Sequence, residues 1–416
     1  MMMNFSFPTI PASHSEYFAY ELLRQSGQLP RQLSRASSAL LLGNQSTALR
    51  WLGGAFDTYG RARLTHTDPQ FNITEVKRNN RSIAITQDVV REDVFGDLVH
   101  FGKDVRGVEE PRVLIVPPMS GHFPSLVRGT VKTLLKKHDV YVANWKNPRD
   151  IPLYRGSFGV EQYIEYIMSY MRLIGQGVHV IAVCQPAPLV LAAVALMSEA
   201  GEKELPGSMT LIAGPIDTRV SPTAPCEFAM SHDLSWFKDI LSFVPLPFGG
   251  AGRLVLPGFR QIGGFMAMNA HAHAKKHQEQ FGNLVNGAID LSQKHAKFYK
   301  DFRAVSDLSS QFFLDTIDAV FQRHLLPKGE MTWRDQTVNL GAVTKIPTFV
   351  IEGEVDDITG RGQTEAALTL LTGLDSKKKK LHVEPEVGHY GTFTGSRFRK
   401  SIAPKIEKFI HTHDRS

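Results

Sequence analysis

The sequence is short of several things, and each shortage removes a class of protein. Among 416 residues there are two cysteines, Cys184 and Cys226. Two cysteines make no disulfide framework and suit a reducing compartment. The first residues, Met1 to Pro8, lack a basic stretch, a sustained apolar core and a small-residue cleavage site, so no secretory signal is read there. The longest apolar region, Ile240 to Gly252, is interrupted by Pro245 and Pro247 and stops at Arg253, too short for a membrane span. A net charge of +6 is small for this length, and no stripe of arginines interleaved with aromatics suggests nucleic acid. The expectation is a cytoplasmic, soluble protein with 42% hydrophobic and 21% charged residues, a globular balance. No serine stands in G-x-S-x-G, the spelling of the serine nucleophile elbow.

What is present is a cysteine in that role's place. His179-Val180-Ile181-Ala182-Val183 is a β-branched apolar run that ends at Cys184; Gln185-Pro186-Ala187-Pro188 then opens a helical pattern. Strand, sharp turn and helix with a nucleophilic side chain at the tip is the layout of an elbow. Ala182 and Pro186 replace the two glycines. Small residues suit the crowded junction, and proline in a first helical turn sacrifices no intrahelical hydrogen bond. Free cysteine is also among the most buried residue types, so a core role for Cys184 is weighed against the functional one.

The surrounding rhythm decides the fold class. Residues 1–60 carry helical spacing. Ser82–Thr86 and Phe95–Phe101 read as strands, with a possible pairing between them. From 111 to 213, apolar strands alternate with helices, which indicates right-handed βαβ units and a mainly parallel sheet. Residues 215–340 show helical periodicity with Pro/Gly-rich stretches and no clear strand. The βα rhythm resumes at Pro347 and ends in a C-terminal helix. The division expected is a helical region (1–75), a first core part (76–214), a helical cap or lid (215–340) and a second core part (341–416). The class is α/β, of the α/β-hydrolase kind.

An elbow cysteine needs a base and a group that orients the base. In this fold they follow in the order nucleophile, acid, histidine. After the strand Thr348–Ile351 comes Glu352-Gly353-Glu354-Val355-Asp356-Asp357-Ile358. A glycine followed by aspartate three residues on selects Asp356; Asp357 is the alternative and the better helix cap. After the last strand, Gly388-His389-Tyr390-Gly391 supplies the base, His389. Backbone N–H donors for an oxyanion are expected at Gln185 and, from the Pro117–His122 loop, at Met119. Ser120 on that loop is a weaker rival nucleophile and a substrate-binding candidate. Asp217 is a rival acid, although Asp217-Thr218-Arg219 reads better as a local ion pair. His273 and His277 share a helix face, but no glutamate or cysteine completes a metal motif, and a helical surface accounts for them better. No metal or cofactor is expected.

Together, Val180–Pro186, Pro117–His122, Ala213–Arg219, Glu352–Ile358 and Gly388–Gly391 resemble bacterial intracellular polyhydroxybutyrate depolymerases, from the Tyr17 region to the C-terminal helix. The resemblance implies a cysteine triad at Cys184, Asp356 and His389. It also implies hydrolysis of amorphous storage polyester to 3-hydroxybutyrate or short oligomers, and partnership with the polymer and its granule surface. Coenzyme A is conceivable as an acyl acceptor in place of water, and a homo-oligomer is left open. Asn144-Trp145-Lys146-Asn147-Pro148 resembles a segment of polyhydroxyalkanoate synthases, which makes an acyltransferase the second reading; a non-catalytic granule-binding protein is the third. Within the cap, Trp236, Phe243 and Phe248 are candidates for touching polymer, with lid core packing as the equal alternative.

Overall fold

The computed structural model describes residues 12–79, 81–103, 109–268 and 270–414. Eight strands form its central sheet: β1 (Asp88–Glu92), β2 (Gly96–Phe101), β3 (Arg112–Val116), β4 (Asp139–Trp145), β5 (His179–Val183), β6 (Ser208–Ile212), β7 (Thr348–Gly353) and β8 (Lys379–Glu384). Their spatial order is β8-β7-β6-β5-β3-β4-β2-β1. Strands β3 to β8 are parallel, and β1 and β2 run antiparallel at one side. This is the mainly parallel α/β arrangement expected from the sequence.

The central strands are apolar throughout because both faces are covered. All five residues of β5 and all five of β6 are buried. The edges differ: β1 carries Asp88, Arg91 and Glu92, and β8 carries Lys379 and Lys380, charges that discourage edge-to-edge pairing. One face is covered by α5 (Val160–Ile174) and α6 (Ala187–Glu199), the other by α4 (Arg128–Leu134) and α13 (Ala403–His413). Helix α6 buries residues Ala187 to Met197 without interruption. A helix apolar all round belongs inside a core. Each Leu or Val sealed there contributes about 1.5–3 kcal/mol.

The N-terminal helical pattern resolves into α1 (Ala12–Ser26), α2 (Gln28–Leu42) and α3 (Thr47–Arg61). A buried ion pair fixes α1 to the body: Arg149 Nη1 lies 2.9 Å from Glu21 Oε1, with both side chains about 5% exposed or less.

Two expectations are corrected. Ser82–Thr86 and Phe95–Phe101 do not pair as strands: Arg81–Ala84 pairs with Glu75–Arg78, and β2 lies between β1 and β4. Alternating pattern marks a strand but not its partner, which is chosen by the rest of the sheet. The segment between β6 and β7 also holds short strands. Ser242–Phe243, Leu254–Leu256 and Leu308–Ser309 make a three-stranded sheet, and Thr332–Trp333 pairs with Gln336–Thr337. Strands of two or three residues are too short to show a period. The rest of the segment includes α7 (Ala224–Met230), α8 (Leu234–Asp239), α9 (Gly258–Met268), α10 (Ala270–Val285), α11 (Ile289–Phe302) and α12 (Ser310–Thr316). Among the described residues, no helix is long and apolar enough to cross a membrane.

Candidate active site

The register brings Val116, Val183, Ile212, Gly353 and Glu384 to one edge of the parallel sheet. Ligands in open α/β sheets bind outside the carboxyl ends of the strands. The loops after β3, β5, β7 and β8 carry Met119, Cys184, Asp356 and His389, so four sequence-selected positions meet at that edge.

Cys184 has φ of +66°. A non-glycine residue in this region is strained, and such strain persists only where surroundings impose it. Here the Cys184 N–H donates to the Ile212 carbonyl at 2.7 Å, and its own carbonyl accepts from the Ala187 N–H at 3.0 Å. Gly214, just past β6, completes the constraint. A Cβ there would come within 2.1 Å of the Ala187 Cβ. Strand, turn and helix therefore pack with no slack, and the half-buried thiol is held at the tip.

His389 is buried at the start of a short 3₁₀ turn. Its Nδ1–H donates to Asp356, 2.9 Å from Oδ2 and 3.1 Å from Oδ1. Burial alone would lower the imidazole pKa. The neighbouring Cys184 and Asp356 charges, with their hydrogen bonds, outweigh it and hold the pKa well above the ordinary histidine range. The imidazole thus faces Cys184 on one side and Asp356 on the other. An imidazole held between a thiol and a carboxylate can take the thiol proton while the carboxylate balances its charge.

Asp356 also accepts at Oδ1 from the Ile358 and Thr359 N–H groups, each at 2.9 Å. Local turn capping, expected of Asp357, is thus performed by Asp356; Asp357 is exposed. The acid and histidine loops are joined by backbone bonds, Glu354 N–H to Glu384 O at 3.0 Å and Val355 N–H to Val387 O at 3.2 Å. Gly353 is required at their crossing, because a Cβ would sit 2.4 Å from the Val387 carbonyl oxygen. Below them the buried Glu352 carboxylate accepts from the N–H groups of Gly362, Thr364 and Glu365. No sequence spacing flagged that residue.

The Pro117–His122 loop lies on the other side of Cys184. Its Met119 N–H donates to Gln185 Oε1 at 3.0 Å. His122 is buried behind it with Nδ1 3.0 Å from the Ser120 carbonyl, and burial pushes its pKa down to about 4. Asp217 forms the local pair expected of it, with Arg219 Nε and Nη2 each 2.8 Å from its carboxylate. Hydrogen bonding to Arg219 holds the Asp217 carboxyl below its ordinary range.

A cavity of about 850 Å³ opens from Cys184. Ser120 and Gln185 stand at its floor, and Phe228, Trp236, Phe237 and Phe313 are among its walls. Of the three aromatic candidates, Trp236 lines it. Phe248 lies instead against the Arg149 guanidinium, 3.5 Å from ring centre to Cζ, and Phe243 is in the short strand paired with Leu254. Neither is part of this wall. Sequence reasoning missed Phe313, Ile317 and Phe321, which also line it. Their spacing of four residues on one helical face was the available signal. Among the described residues no group of histidine, cysteine and carboxylate side chains is arranged to hold a metal. His273 meets the Tyr299 hydroxyl at 2.8 Å, and His277 meets Arg303 at 3.2 Å.

With that geometry in place, residues 213–414 match the family model described as "PHB de-polymerase C-terminus". This part of the chain is similar to polyhydroxybutyrate depolymerases. The match begins at the end of β6 and takes in the cavity walls, the Asp356 loop and the His389 loop; Cys184 and the Met119 loop precede it. No curated protein matches the chain. Similar solved structures include a monoacylglycerol lipase of Paleococcus ferrophilus, 14% identical over 73% of this chain and 96% of the other, TM-score 0.44. A hydrolase from Pseudomonas aeruginosa is 11% identical over 80% and 99%, TM-score 0.45. Neither likeness speaks to chemistry.

Proposed function

We propose that this protein hydrolyses amorphous polyhydroxybutyrate inside the cell, through an acyl-enzyme on Cys184. The observation that carries this reading is the strained Cys184 facing the Asp356-bonded imidazole of His389, at the floor of an apolar cavity. The family model over the C-terminal half supports the polyester as substrate.

In this mechanism His389 holds the proton drawn from the thiol, and Asp356 fixes its tautomer and balances the imidazolium. The thiolate attacks the ester carbonyl, whose oxygen develops charge. Backbone N–H groups of Gln185 and Met119 donate to that oxygen. Collapse of the adduct expels the polymer alkoxide, which takes the proton from His389. Water, deprotonated by the same imidazole, then cleaves the thioester and releases 3-hydroxybutyrate or a short oligomer. Trp236 and the phenylalanine walls hold the acyl segment while excluding bulk water.

The test is product release from amorphous granules. Wild-type protein should liberate 3-hydroxybutyrate or its oligomers; Cys184→Ala should not, while melting at a similar temperature. Alkylation should abolish activity with the label on Cys184 rather than the buried Cys226. Full hydrolysis by the alanine variant would transfer the role to Ser120, which lines the same floor. Polymer growth from 3-hydroxybutyryl-coenzyme A, with granules left intact, would replace the depolymerase reading with that of a synthase.

A further inference from the structure

A second cavity, of about 840 Å³, lies between α3, the 63–72 segment, α10 and α11. Its character is opposite to that of the first. Seven cationic side chains line it against three carboxylates. Two of the cations are matched: Arg61 with Asp57 and Arg128 with Asp301, each at 2.6 Å. The third carboxylate, Asp68, accepts from the Gln70 N–H at 2.9 Å and from its side-chain amide at 3.0 Å.

Arg35, Arg63, Lys297, Lys300 and Arg303 have no carboxylate within ion-pair distance among the described residues. Five unmatched cations converging on one concavity repel one another, and an anion relieves that cost. Arg303 is the most committed. Its Nη1 donates to the Arg61 carbonyl at 2.6 Å, and its guanidinium lies 5.0 Å from the Tyr299 ring centre. With Nη2 directed at His277 Nε2, 3.2 Å away, the fork is ordered by its neighbours rather than by an acid.

The wall beside it is aromatic. His277 and His295 lie against Tyr299 at centroid distances of 4.4 and 4.5 Å. Burial pushes both imidazoles down to about 4, so both are neutral at pH 7. His295 Nε2 is buried and has no hydrogen-bond partner among the described residues. A buried polar atom without a partner, in a cavity lined by unmatched cations, marks a place where a ligand supplies the missing bond.

We propose that this cavity binds a small, multiply charged phosphate-bearing molecule. Arg303, Arg63, Lys297 and Lys300 contact its oxygens, and the His277–His295–Tyr299 cluster flanks it. Forked and point-charge donors together suit phosphate oxygens. The site does not depend on the ester-cleaving reading. A physical route nonetheless joins the two cavities. The Thr65 N–H donates to Arg303 O at 2.9 Å, Val305 N–H to Thr65 O at 2.7 Å, and Ser306 N–H to Gly121 O at 3.1 Å. A ligand gripped by Arg303 and Arg63 therefore bears on the strip that backs the Met119 loop.

Isothermal titration calorimetry of the full chain with inorganic pyrophosphate and with ADP tests this. At least one probe should bind saturably with one molecule per chain. The triple variant Arg63→Gln/Lys297→Gln/Lys300→Gln should bind at least about tenfold more weakly, since it removes three charge-assisted contacts. Lys297 and Lys300 are exposed, so their replacement leaves the core alone. Arg303→Lys keeps the charge but loses the fork and should also weaken binding. The distant control Lys377→Gln/Lys379→Gln should bind like wild type. Absence of saturation by either probe up to about 10 mM, near the weak limit for a specific site, would overturn the proposal. So would an equal loss in the distant control. Binding confined to vesicles containing phosphatidylglycerol, with neither soluble probe bound, would mean a membrane-surface contact instead.

Discussion

Gln185 reaches across the candidate site so that its side-chain oxygen lies 3.0 Å from the Met119 N–H. A neutral amide oxygen thus sits where the mechanism would place a substrate oxygen. The side chain is half-buried and borders the cavity, so it has somewhere to go when displaced. A neutral acceptor yields readily; a carboxylate does not, because charge-assisted bonds are roughly twice as strong. Gln185→Glu should therefore hold the donor and repel the developing oxyanion, lowering kcat/KM for a soluble 3-hydroxybutyrate ester by about 10²-fold. Gln185→Ala frees the N–H and should cost far less. Equal activity in the Glu variant and wild type would mean that the Met119 N–H takes no part in the reaction.

The two aspartates separate cleanly by environment. Asp356 is buried on His389 Nδ1 and on two N–H groups, whereas Asp357 is exposed. Asp356→Asn should reduce kcat by about 10⁴-fold, because an amide favours the wrong imidazole tautomer. Asp357→Asn should stay within a few-fold of wild type. The reverse order in steady-state kinetics would move the acid by one residue.

Trp236 and Phe248 should separate binding from stability. Trp236→Ala removes cavity wall, so KM for a soluble ester should rise several-fold with the melting temperature little changed. Phe248→Ala removes the ring beneath Arg149 and should cost about 1–2 kcal/mol of stability with kinetic constants nearly intact. Thermal melts and kinetics on both variants check this, and a KM defect confined to Phe248→Ala would contradict it.

His122 gives a pH dependence with a definite sign. Its folded pKa is depressed to about 4 by burial, below the unfolded value of about 6.5. Above pH 6.5 the neutral ring is present in both states and its burial is undisturbed. As pH falls toward 4 the unfolded chain takes up a proton that the folded one does not, and stability is lost. The loss approaches about 3 kcal/mol by pH 4. His122→Asn keeps a donor toward the Ser120 carbonyl without titrating. Its unfolding free energy, followed by denaturant titration, should fall less steeply between pH 6.5 and 4 than that of wild type. Identical slopes would show that His122 is not an acid-sensitive element.

Much was decided by the sequence alone, because it depended on local pattern. Continuous β-branched runs name the buried parallel strands. The break at Cys184, with small Ala182 and a proline after it, names the turn. Asp356 and His389 follow from their places after the last two long strands. Those features are readable because each is set within one strand and its adjoining loop. What depended on distance in the chain was decided only by the tertiary structure. Pairing of β2 with β4 rather than with Arg81–Ala84 reflects sheet order, and strands as short as Ser242–Phe243 exist only because Leu254 lies opposite. The same holds for function. Trp236, Phe313 and Phe321 share an apolar signature with Phe248, yet the first three line the cavity while Phe248 packs on Arg149. The cationic cavity assembles Arg35, Arg63 and Arg303 from separate segments. Hydrophobicity and charge are properties of a residue, but which surface they serve depends on packing, and packing is settled by the whole chain.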